Sequence, residues 1–372
     1  IPGNIRFIPV ARPMGIDKAG SWMGFAVGDY DGDADLDIFV TNAGFHPLLR
    51  LPPYPGGDCA YGHRFVWGTC SHFLLRNDWG NTGLIDLGSY VDVAPSTRVK
   101  PSRLMPPASL NPSNILFTWQ PLTGLAAYDF GFGTVFFDLE NDGDQDIYWL
   151  GSIIARGEGP RGEFYQSAGR LLRGDGQGSF EDVTVEAGVL DIQNVDYTIL
   201  DPKDPAFNAE KQRIGAHFHE NGKGLAKCDI DSDGNIDLVG TNSSGEMLDE
   251  NRIIGFARGP LFIWMNSNQD NHWITFRLKG RMAIDGTGTN ADGIGARVYV
   301  TTTGPDGNPK TQVGELTASG TFLSSNCLDM HFGLGNSDTI DQIEIRWPSG
   351  IIQTLSDVKS DQILSITEPA AK

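Results

Sequence analysis

The stretch that decides the fold is Asp29-Tyr-Asp-Gly-Asp-Ala-Asp-Leu-Asp37. It occurs twice more in related form, as Asp138-Leu-Glu-Asn-Asp-Gly-Asp-Gln-Asp146 and Asp229-Ile-Asp-Ser-Asp-Gly-Asn-Ile-Asp237. Carboxylates on nearly every second residue repel one another unless a cation lies between them. Several oxygen ligands in a tight loop are the ligand set that calcium prefers. The recurrence of the motif indicates a repeat architecture.

Each acidic loop lies between two segments that predict β-strands. The segments before the loops are Trp22-Met-Gly-Phe-Ala-Val-Gly28, Gly131-Phe-Gly-Thr-Val-Phe-Phe137 and Gly222-Lys-Gly-Leu-Ala-Lys-Cys228. Those after the loops are Ile38-Phe-Val-Thr-Asn42, Ile147-Tyr-Trp-Leu-Gly151 and Leu238-Val-Gly-Thr-Asn242. A strand, a metal loop and a second strand make a hairpin with the ion at its turn.

A third strand is predicted in each repeat, at Phe73-Leu-Leu-Arg-Asn77, Leu171-Leu-Arg-Gly-Asp175 and Leu261-Phe-Ile-Trp-Met-Asn266. Gly178-Ser-Phe-Glu-Asp-Val-Thr184 predicts a fourth strand, and Ile5-Arg-Phe-Ile-Pro-Val10 looks like the same element. Four short antiparallel strands make one blade of a β-propeller. The sequence therefore predicts an N-terminal propeller over residues 1–266.

The repeats are widely spaced, which predicts an irregular or incomplete propeller. The loops start at residues 29, 138 and 229, about twice as far apart as typical blades of roughly 40–50 residues. Either blades without metal loops or long insertions lie between them. We interpret residues 93–121, which are rich in proline, and residues 191–209, with Asp-Pro-Lys-Asp-Pro, as insertions or crossing segments.

The pattern changes near residue 266, after which apolar and polar residues alternate regularly. The clearest strands are Trp273-Ile-Thr-Phe-Arg-Leu278, Ala296-Arg-Val-Tyr-Val-Thr301, Ile343-Glu-Ile-Arg-Trp347 and Gln362-Ile-Leu-Ser-Ile-Thr367. Residues 267–372 therefore predict a small β-sandwich or barrel. Helical periodicity is nearly absent, so the fold class is all β.

Composition limits the function classes. The net charge is −19, from 47 acidic and 28 basic residues, which argues against nucleic acid and against an anionic membrane surface as partners. Glycine (47 residues) and proline (21 residues) punctuate the chain often, as many short strands require. No apolar run is long enough for a transmembrane helix. We expect a mature form from which a leader has been removed.

Taken together, the two halves resemble a known arrangement. The acidic loops resemble FG-GAP/VCBS repeats, the calcium-bearing blades of integrin-like propellers. The C-terminal region resembles the ASPIC/UnbV domain through four blocks in order: Asn271-His-Trp-Ile, Ala291-Asp-Gly-Ile-Gly-Ala-Arg-Val298, His331-Phe-Gly-Leu-Gly335 and Arg346-Trp-Pro-Ser-Gly350. The combination is similar to the cartilage acidic protein family. The resemblance implies an extracellular, calcium-binding, adhesive protein without catalytic residues.

The resemblance also implies a ligand set for about three calcium ions, with side chains at loop positions 1, 3, 5 and 9 and a carbonyl at position 7. The first set is Asp29, Asp31, Asp33 and Asp37 with the carbonyl of Asp35. The second is Asp138, Glu140, Asp142 and Asp146 with that of Asp144, and the third is Asp229, Asp231, Asp233 and Asp237 with that of Asn235. The first loop has Gly32 at position 4 and Ala34 at position 6, where the others have Gly143 and Gly234, so altered geometry is expected there.

Four cysteines leave the redox state open. Cys59 and Cys70 bracket a short loop, and we favour a disulfide between them because calcium loops of this type belong to oxidising compartments. Four free, mostly buried thiols are the alternative.

Other polar clusters give weaker signals. Asp285, Asn290 and Asp292 lie in a glycine-rich loop that could hold a fourth cation, although a plain turn is the simpler interpretation. His217, His219 and Glu220 could bind zinc or act as a base, and His63 and His72 lie near the cysteine pair, but neither spacing matches a known zinc site. Trp67, Trp119, Trp149 and Trp264 are expected to pack between blades, with a carbohydrate platform as the alternative.

The sequence predicts a secreted, non-enzymatic, calcium-stabilised structural or adhesive protein. An incomplete propeller exposes strand edges, so we expect a homo-oligomer or polymer, such as a filament or tube. A glycan or a matrix protein is a further expected partner. The alternatives are a carbohydrate-active enzyme of lyase or dehydratase type and a receptor-like propeller that binds a ligand.

Overall fold

The computed structural model describes residues 9–17, 22–42, 72–78, 90–103, 124–128, 131–156, 163–167, 169–189, 222–243, 245–249, 252–257, 259, 261–267, 271–304, 307–318 and 320–371. In these ranges the chain is all β, with two short 3-10 turns at Gly124–Ala127 and Arg281–Ala283 and no α-helix. The predicted fold class is therefore confirmed at this level. The described residues contain no helix long and apolar enough to cross a membrane.

The first acidic loop joins β1 (Trp22–Gly28) to β2 (Asp37–Asn42). Two further strands, β3 (Phe73–Asn77) and β4 (Tyr90–Asp92), complete this first sheet. The order is β1-β2-β3-β4 and every pairing is antiparallel. The predicted hairpin and third strand are therefore present, and β4 is a fourth strand that the sequence did not predict in this repeat.

The second sheet repeats this plan. It contains β5 (Arg98–Lys100), β6 (Thr134–Phe137), β7 (Asp146–Trp149), β10 (Arg170–Gly174) and β11 (Ser179–Asp182) in the order β5-β11-β10-β7-β6. Between β7 and β10 the chain forms a separate hairpin, β8 (Ser152–Arg156) and β9 (Glu163–Ser167). β5 is parallel to β11, so the start of the segment interpreted as an insertion adds a strand to this sheet.

The third sheet has the first three strands of the plan. β12 (Gly222–Cys228), β13 (Asp237–Asn242) and β16 (Leu261–Trp264) lie in that order. A hairpin of β14 (Gly245–Asp249) and β15 (Arg252–Ala257) is inserted before β16. Among the residues the structure describes, no strand pairs with the outer edge of β16.

The three sheets stack in chain order around two cores. One buried cluster joins the first and second sheets and includes Phe39, Leu74 and Trp149. A second cluster joins the second and third sheets and includes Leu171 and Leu225. The second sheet therefore lies between the other two. No closed ring of sheets is identified among the described residues.

The C-terminal region is a sandwich of two sheets. Its strands are β17 (His272–Lys279), β18 (Arg297–Thr303), β19 (Pro309–Glu315), β20 (Met330–Gly335), β21 (Thr339–Arg346), β22 (Ile352–Lys359) and β23 (Gln362–Thr367). The orders are β20-β17-β23 and β19-β18-β21-β22. Phe276 and Phe332 from one sheet share a core with Val298 and Ile343 from the other.

Several predicted features lie outside the described residues. These are the strand residues before Pro9, residues 104–121 of the predicted insertion at 93–121, and the predicted insertion at 191–209. The cysteines Cys59 and Cys70 and the cluster His217, His219 and Glu220 also lie outside them.

Candidate metal centres

The first carboxylate of each loop organises the turn by accepting backbone N–H groups. Asp29 accepts hydrogen bonds from the amides of Gly32, Asp33 and Ala34 at 2.9–3.1 Å. Asp138 accepts the amides of Asp142 and Gly143, and Asp229 accepts those of Asp233 and Gly234. Donors from the same loop positions meet the same acceptor, so the three loops share one conformation.

The ninth residue of each loop ties the loop to the third strand of its sheet. One carboxylate oxygen of Asp37, Asp146 and Asp237 accepts the amide of loop position 2, at 3.2, 2.6 and 2.8 Å. The other oxygen accepts the amide of Asn77, Gly174 and Asn266, at 2.7, 2.8 and 2.8 Å. Because these bonds match one another, Asn77, Gly174 and Asn266 are equivalent positions in the three sheets.

Two positions in each loop have a left-handed backbone. At position 4 the φ angles are +75° for Gly32, +60° for Asn141 and +64° for Ser232. At position 6 they are +67° for Ala34, +87° for Gly143 and +89° for Gly234. The first loop therefore has the same conformation at its sixth residue as the other two loops. The left-handed backbone of Ala34 costs about 1–2 kcal/mol in steric strain.

The structure gathers three of the predicted ligands in the first and third loops. Asp29, Asp31 and Asp37 offer oxygens that all lie within 4.8 Å of one another, and Asp229, Asp231 and Asp237 do the same. Asp31 Oδ1 is buried, and no donor among the described residues lies within hydrogen-bonding distance of it. A buried carboxylate oxygen without a donor fits a cation ligand.

The remaining predicted ligands are arranged differently. Asp33, Asp142 and Asp233 at position 5 each accept the amide two residues later, at 2.8–2.9 Å. In the second loop, the carboxylate oxygens of Asp138, Glu140 and Asp146 do not all lie within 4.8 Å of one another in the described structure. The charges of Glu140 and Asp138 nevertheless contribute to the raised pKa of Asp146. At position 7, Asp144 forms an ion pair with Lys310, while Asp35 and Asn235 donate their amides to position 5.

Burial and mutual repulsion make these loops electrostatically costly without a cation. Burial, followed by repulsion from Asp33 and Asp31, raises the pKa of Asp29 to about 7. Burial likewise raises the pKa of Asp37 to about 8. The pKa values of Asp138 and Asp146 lie well above their usual range, mainly because both side chains are buried. A divalent cation would compensate this charge with the oxygens already in place.

The second loop lies at the junction of the third loop and the C-terminal sandwich. Asn141 Nδ2 donates to the carbonyl of Gly234 at 3.0 Å and to Asn235 Oδ1 at 3.1 Å. The Asn141 carbonyl accepts the amide of Gly335 at 2.8 Å. Asn271 Nδ2 donates to the carbonyl of Glu140 at 2.8 Å. The conformation of this loop therefore sets how the sandwich contacts the sheets.

His331 completes this junction as a neutral side chain. Burial, together with the nearby charge of Lys227, lowers the pKa of His331 to about 3. Its Nε2 lies 2.7 Å from Asn141 Oδ1 and its Nδ1 lies 3.1 Å from Thr275 Oγ1. Because Asn141 Oδ1 accepts only, Nε2 carries the proton and Nδ1 accepts the threonine hydroxyl.

A pair of thiols was not anticipated from the sequence. Cys228 and Cys327 are both free, and their thiols interact with one another directly. The amide of Cys327 donates to the carbonyl of Lys227 at 3.3 Å, which places the two residues side by side. The long separation in sequence gave no signal for this contact.

The polar clusters that gave weaker signals have structural roles where the structure describes them. Asp285 Oδ1 accepts the amide and hydroxyl of Thr287, and Asn290 bonds both backbone groups of Ile294, which fits a plain turn. No described metal-ligand group includes Asp292. His72 is buried against Phe39 and Trp149.

Part of the chain matches a known protein family. Residues 286–372 match the family model described as ASPIC and UnbV. The match begins after β17, which nevertheless supplies Ile274, Phe276 and Leu278 to the core of the sandwich. No curated protein matches this chain.

Proposed function

We propose that this protein is a secreted, non-enzymatic, calcium-binding structural or adhesive protein that associates with copies of itself. The observation that carries the proposal is the shared frame of the three acidic loops, in which positions 1 and 9 are held by equivalent backbone donors. We interpret the three sheets as consecutive blades of FG-GAP/VCBS type in an incomplete propeller, followed by the ASPIC/UnbV domain.

Calcium is the cation that suits these sites best. All the candidate ligands are oxygens, and the groups differ between loops in exposure and in the residue at position 3. Calcium accepts irregular cages of 6–8 oxygens at about 2.3–2.6 Å, whereas magnesium requires a strict octahedron. Binding at the loops would stabilise the folded state because the unfolded chain has no preformed site.

The charged groups that line one cavity support a non-enzymatic role. This cavity, of about 400 Å³, lies between the first sheet and the sandwich. Its basic side chains are engaged: Arg297 with Glu315, Lys310 with Asp144, and Lys227 with the carbonyl of Phe136. Basic side chains that already form ion pairs or hydrogen bonds within the protein stabilise its fold and are less available to bind a substrate.

Calcium binding is tested by counting ions on protein stripped with a chelating resin. Equilibrium dialysis should give about three calcium ions per chain, and the melting temperature should rise by many degrees on adding calcium back. Asp37→Asn and Asp237→Asn should each remove one ion, because each carboxylate belongs to a different group. Asp341→Asn, at an exposed position of the sandwich, is the control. An unchanged melt with and without calcium contradicts the proposal.

A further inference from the structure

Part of the connection between β19 and β20 leaves the sandwich and lies against the sheets. We call this segment, residues 320–327, the strap. The hydroxyl of Thr321 accepts the amide of Thr134 in β6 at 3.2 Å. The ring of Phe322 packs edge-on against that of Phe132, with centroids 5.0 Å apart. The first part of the strap therefore contacts the second sheet and the residues that lead into it.

The strap then follows β12 of the third sheet. The hydroxyl of Ser324 donates to the carbonyl of Leu225 at 3.1 Å, and the amide of Lys227 donates to Asn326 Oδ1 at 3.0 Å. The amide of Cys327 donates to the carbonyl of Lys227 at 3.3 Å. Residue numbers increase together along both segments, so the strap and β12 run side by side in the same direction.

This arrangement makes Cys228 and Cys327 opposite residues. Hydrogen bonds between parallel segments are slanted, so an amide donates to the residue that precedes its opposite partner. The bond from Cys327 to Lys227 therefore places Cys228 opposite Cys327, and their thiols contact each other. Neighbouring strands lie about 4.7–4.9 Å apart, within the Cα separation of about 4.4–6.8 Å that a disulfide spans.

The surroundings of the two thiols favour a covalent bond over a shared metal ion. Structural zinc sites need four ligands. In the described part of the chain, neither cysteine belongs to a group of three His, Cys, Asp or Glu side chains that could hold an ion. Both cysteines are only partly buried, and Cys327 lines the cavity of about 400 Å³. A small oxidant can therefore reach the pair.

We propose that Cys228 and Cys327 form a disulfide that links the strap to the third sheet. The oxidant is a low-molecular-weight disulfide. One cysteine thiolate attacks a sulfur of the oxidant, whose S–S bond breaks and releases one thiol. The second cysteine attacks the resulting mixed disulfide, forms the new S–S bond and releases the second thiol. The two cysteines lose two protons and two electrons, which the oxidant gains. The inference rests on the proposed secretion, which supplies an oxidising compartment.

The disulfide joins the strand that leads into the third acidic loop to the C-terminal sandwich. Cys228 directly precedes Asp229, the first residue of that loop, and its sulfur lies 3.8 Å from the Asp229 carbonyl oxygen. The bond closes a loop of about 100 residues, and long closed loops restrict the unfolded chain most. We therefore expect oxidation to raise the melting temperature by several degrees.

The test first leaves a single pair of thiols to react. The chain has four cysteines, so a variant with both Cys59→Ser and Cys70→Ser retains only Cys228 and Cys327. This parent variant is equilibrated in calcium buffer with mixtures of reduced and oxidised glutathione. Maleimide labelling should count two free thiols in the reducing mixture and none in the oxidising mixture. Peptide mapping without reduction should link the two residues, both in this variant and in the oxidised unaltered chain.

Cys327→Ser in the parent variant is the matched control, because it prevents the bond and changes one atom. The parent variant should melt several degrees higher in the oxidising mixture than in the reducing one, whereas the control should melt at the same temperature in both. Hydrogen exchange in β12 should slow on oxidation of the parent variant and stay unchanged in the control.

Three outcomes overturn this inference. They are two free thiols in the oxidising mixture, glutathione adducts or bonds between chains in place of the internal link, and an oxidised parent variant that melts like the reduced one. Secretion is judged separately, by the location of the native protein. A protein found inside the cell that forms the internal link in oxidising buffer would contradict the proposed secretion and leave the pairing of the two cysteines standing.

Discussion

Gly234 satisfies two separate requirements in the third loop. Its backbone is left-handed, with φ at +89°, and Trp273 of the sandwich packs directly against it. A Cβ atom built at this position would lie 1.9 Å from Trp273 Cε2. The same indole stacks on His331 with ring centroids 6.1 Å apart. One residue thus links the third loop to the junction of the sheets and the sandwich.

Gly234→Ala should therefore destabilise the protein more than the backbone angle alone explains. We expect a loss of about 3 kcal/mol, from the left-handed alanine and from displacement of Trp273. Gly350→Ala is the matched control, because Gly350 has φ at +91° and no atom within 4 Å of its Cβ position. It should lose about 1–2 kcal/mol. Urea unfolding in saturating calcium measures both, and equal losses would show that the indole contact is unimportant.

At the scale of elements, the acidic loop is the unit whose stability depends on pH. In the metal-free protein the pKa of Asp29 is about 7 and that of Asp37 about 8, against about 3.9 in an unfolded chain. Between about pH 4 and pH 8 the folded state therefore binds protons that the unfolded chain has released, so stability falls as pH rises through this window.

We expect calcium to reverse this dependence. Metal-stripped protein should melt at a higher temperature at pH 5 than at pH 8. Calcium competes with the same protons, so the gain in melting temperature on adding calcium should be larger at pH 8 than at pH 5. Asp37→Asn should flatten the metal-free profile. A melting temperature of stripped protein that rises from pH 5 to pH 8 would contradict the argument.

The same elements show what a sequence can predict. The hairpins around the loops follow from local alternation and from the acidic motif, and β1, β3, β12 and β23 have the predicted bounds. Short strands such as β4 and β5 were missed because three residues carry too little periodicity. In the first and third loops, the carboxylates at positions 1, 3 and 9 come together as the motif indicates. The sequence could not show whether the position 5 carboxylate binds a cation. That carboxylate accepts the amide of position 7 instead, and this bond depends on the conformation of the loop backbone.

Contacts between distant segments were beyond a local interpretation of the sequence. Nothing in the residues around Asn141 indicates that its side chain bonds both the third loop and His331, which is 190 residues away. The proximity of Cys228 and Cys327 has the same origin. Such contacts depend on how whole sheets pack, and packing direction is not encoded in a short pattern.

For the whole molecule, the bonds of Asn141 are expected to couple the sheets to the sandwich. Asn141→Gly keeps the left-handed backbone and removes side-chain bonds to Gly234, Asn235 and His331. We expect a loss of about 2 kcal/mol or more, since the buried partners lose their bonds. Hydrogen exchange should also increase in β20.

Ser232→Gly is the matched control for this change. Ser232 occupies the same loop position with a similar φ of +64°, and it is exposed. This variant should not destabilise the protein, because glycine adopts the left-handed backbone without steric cost, and it should not change the exchange of β20. If both variants behave alike, the side chain of Asn141 does not couple the two parts.

The exchange of glycine between loop positions has a consequence for searching genomes. Each loop has two left-handed residues but only one glycine, at position 4 in the first loop and at position 6 in the others. A motif query that fixes glycine at the sixth place retrieves the second and third loops and overlooks the first. A query that accepts one glycine at either place, between aspartates at the first and ninth, would recover all three and reveal repeats that strict patterns leave uncounted in other proteomes.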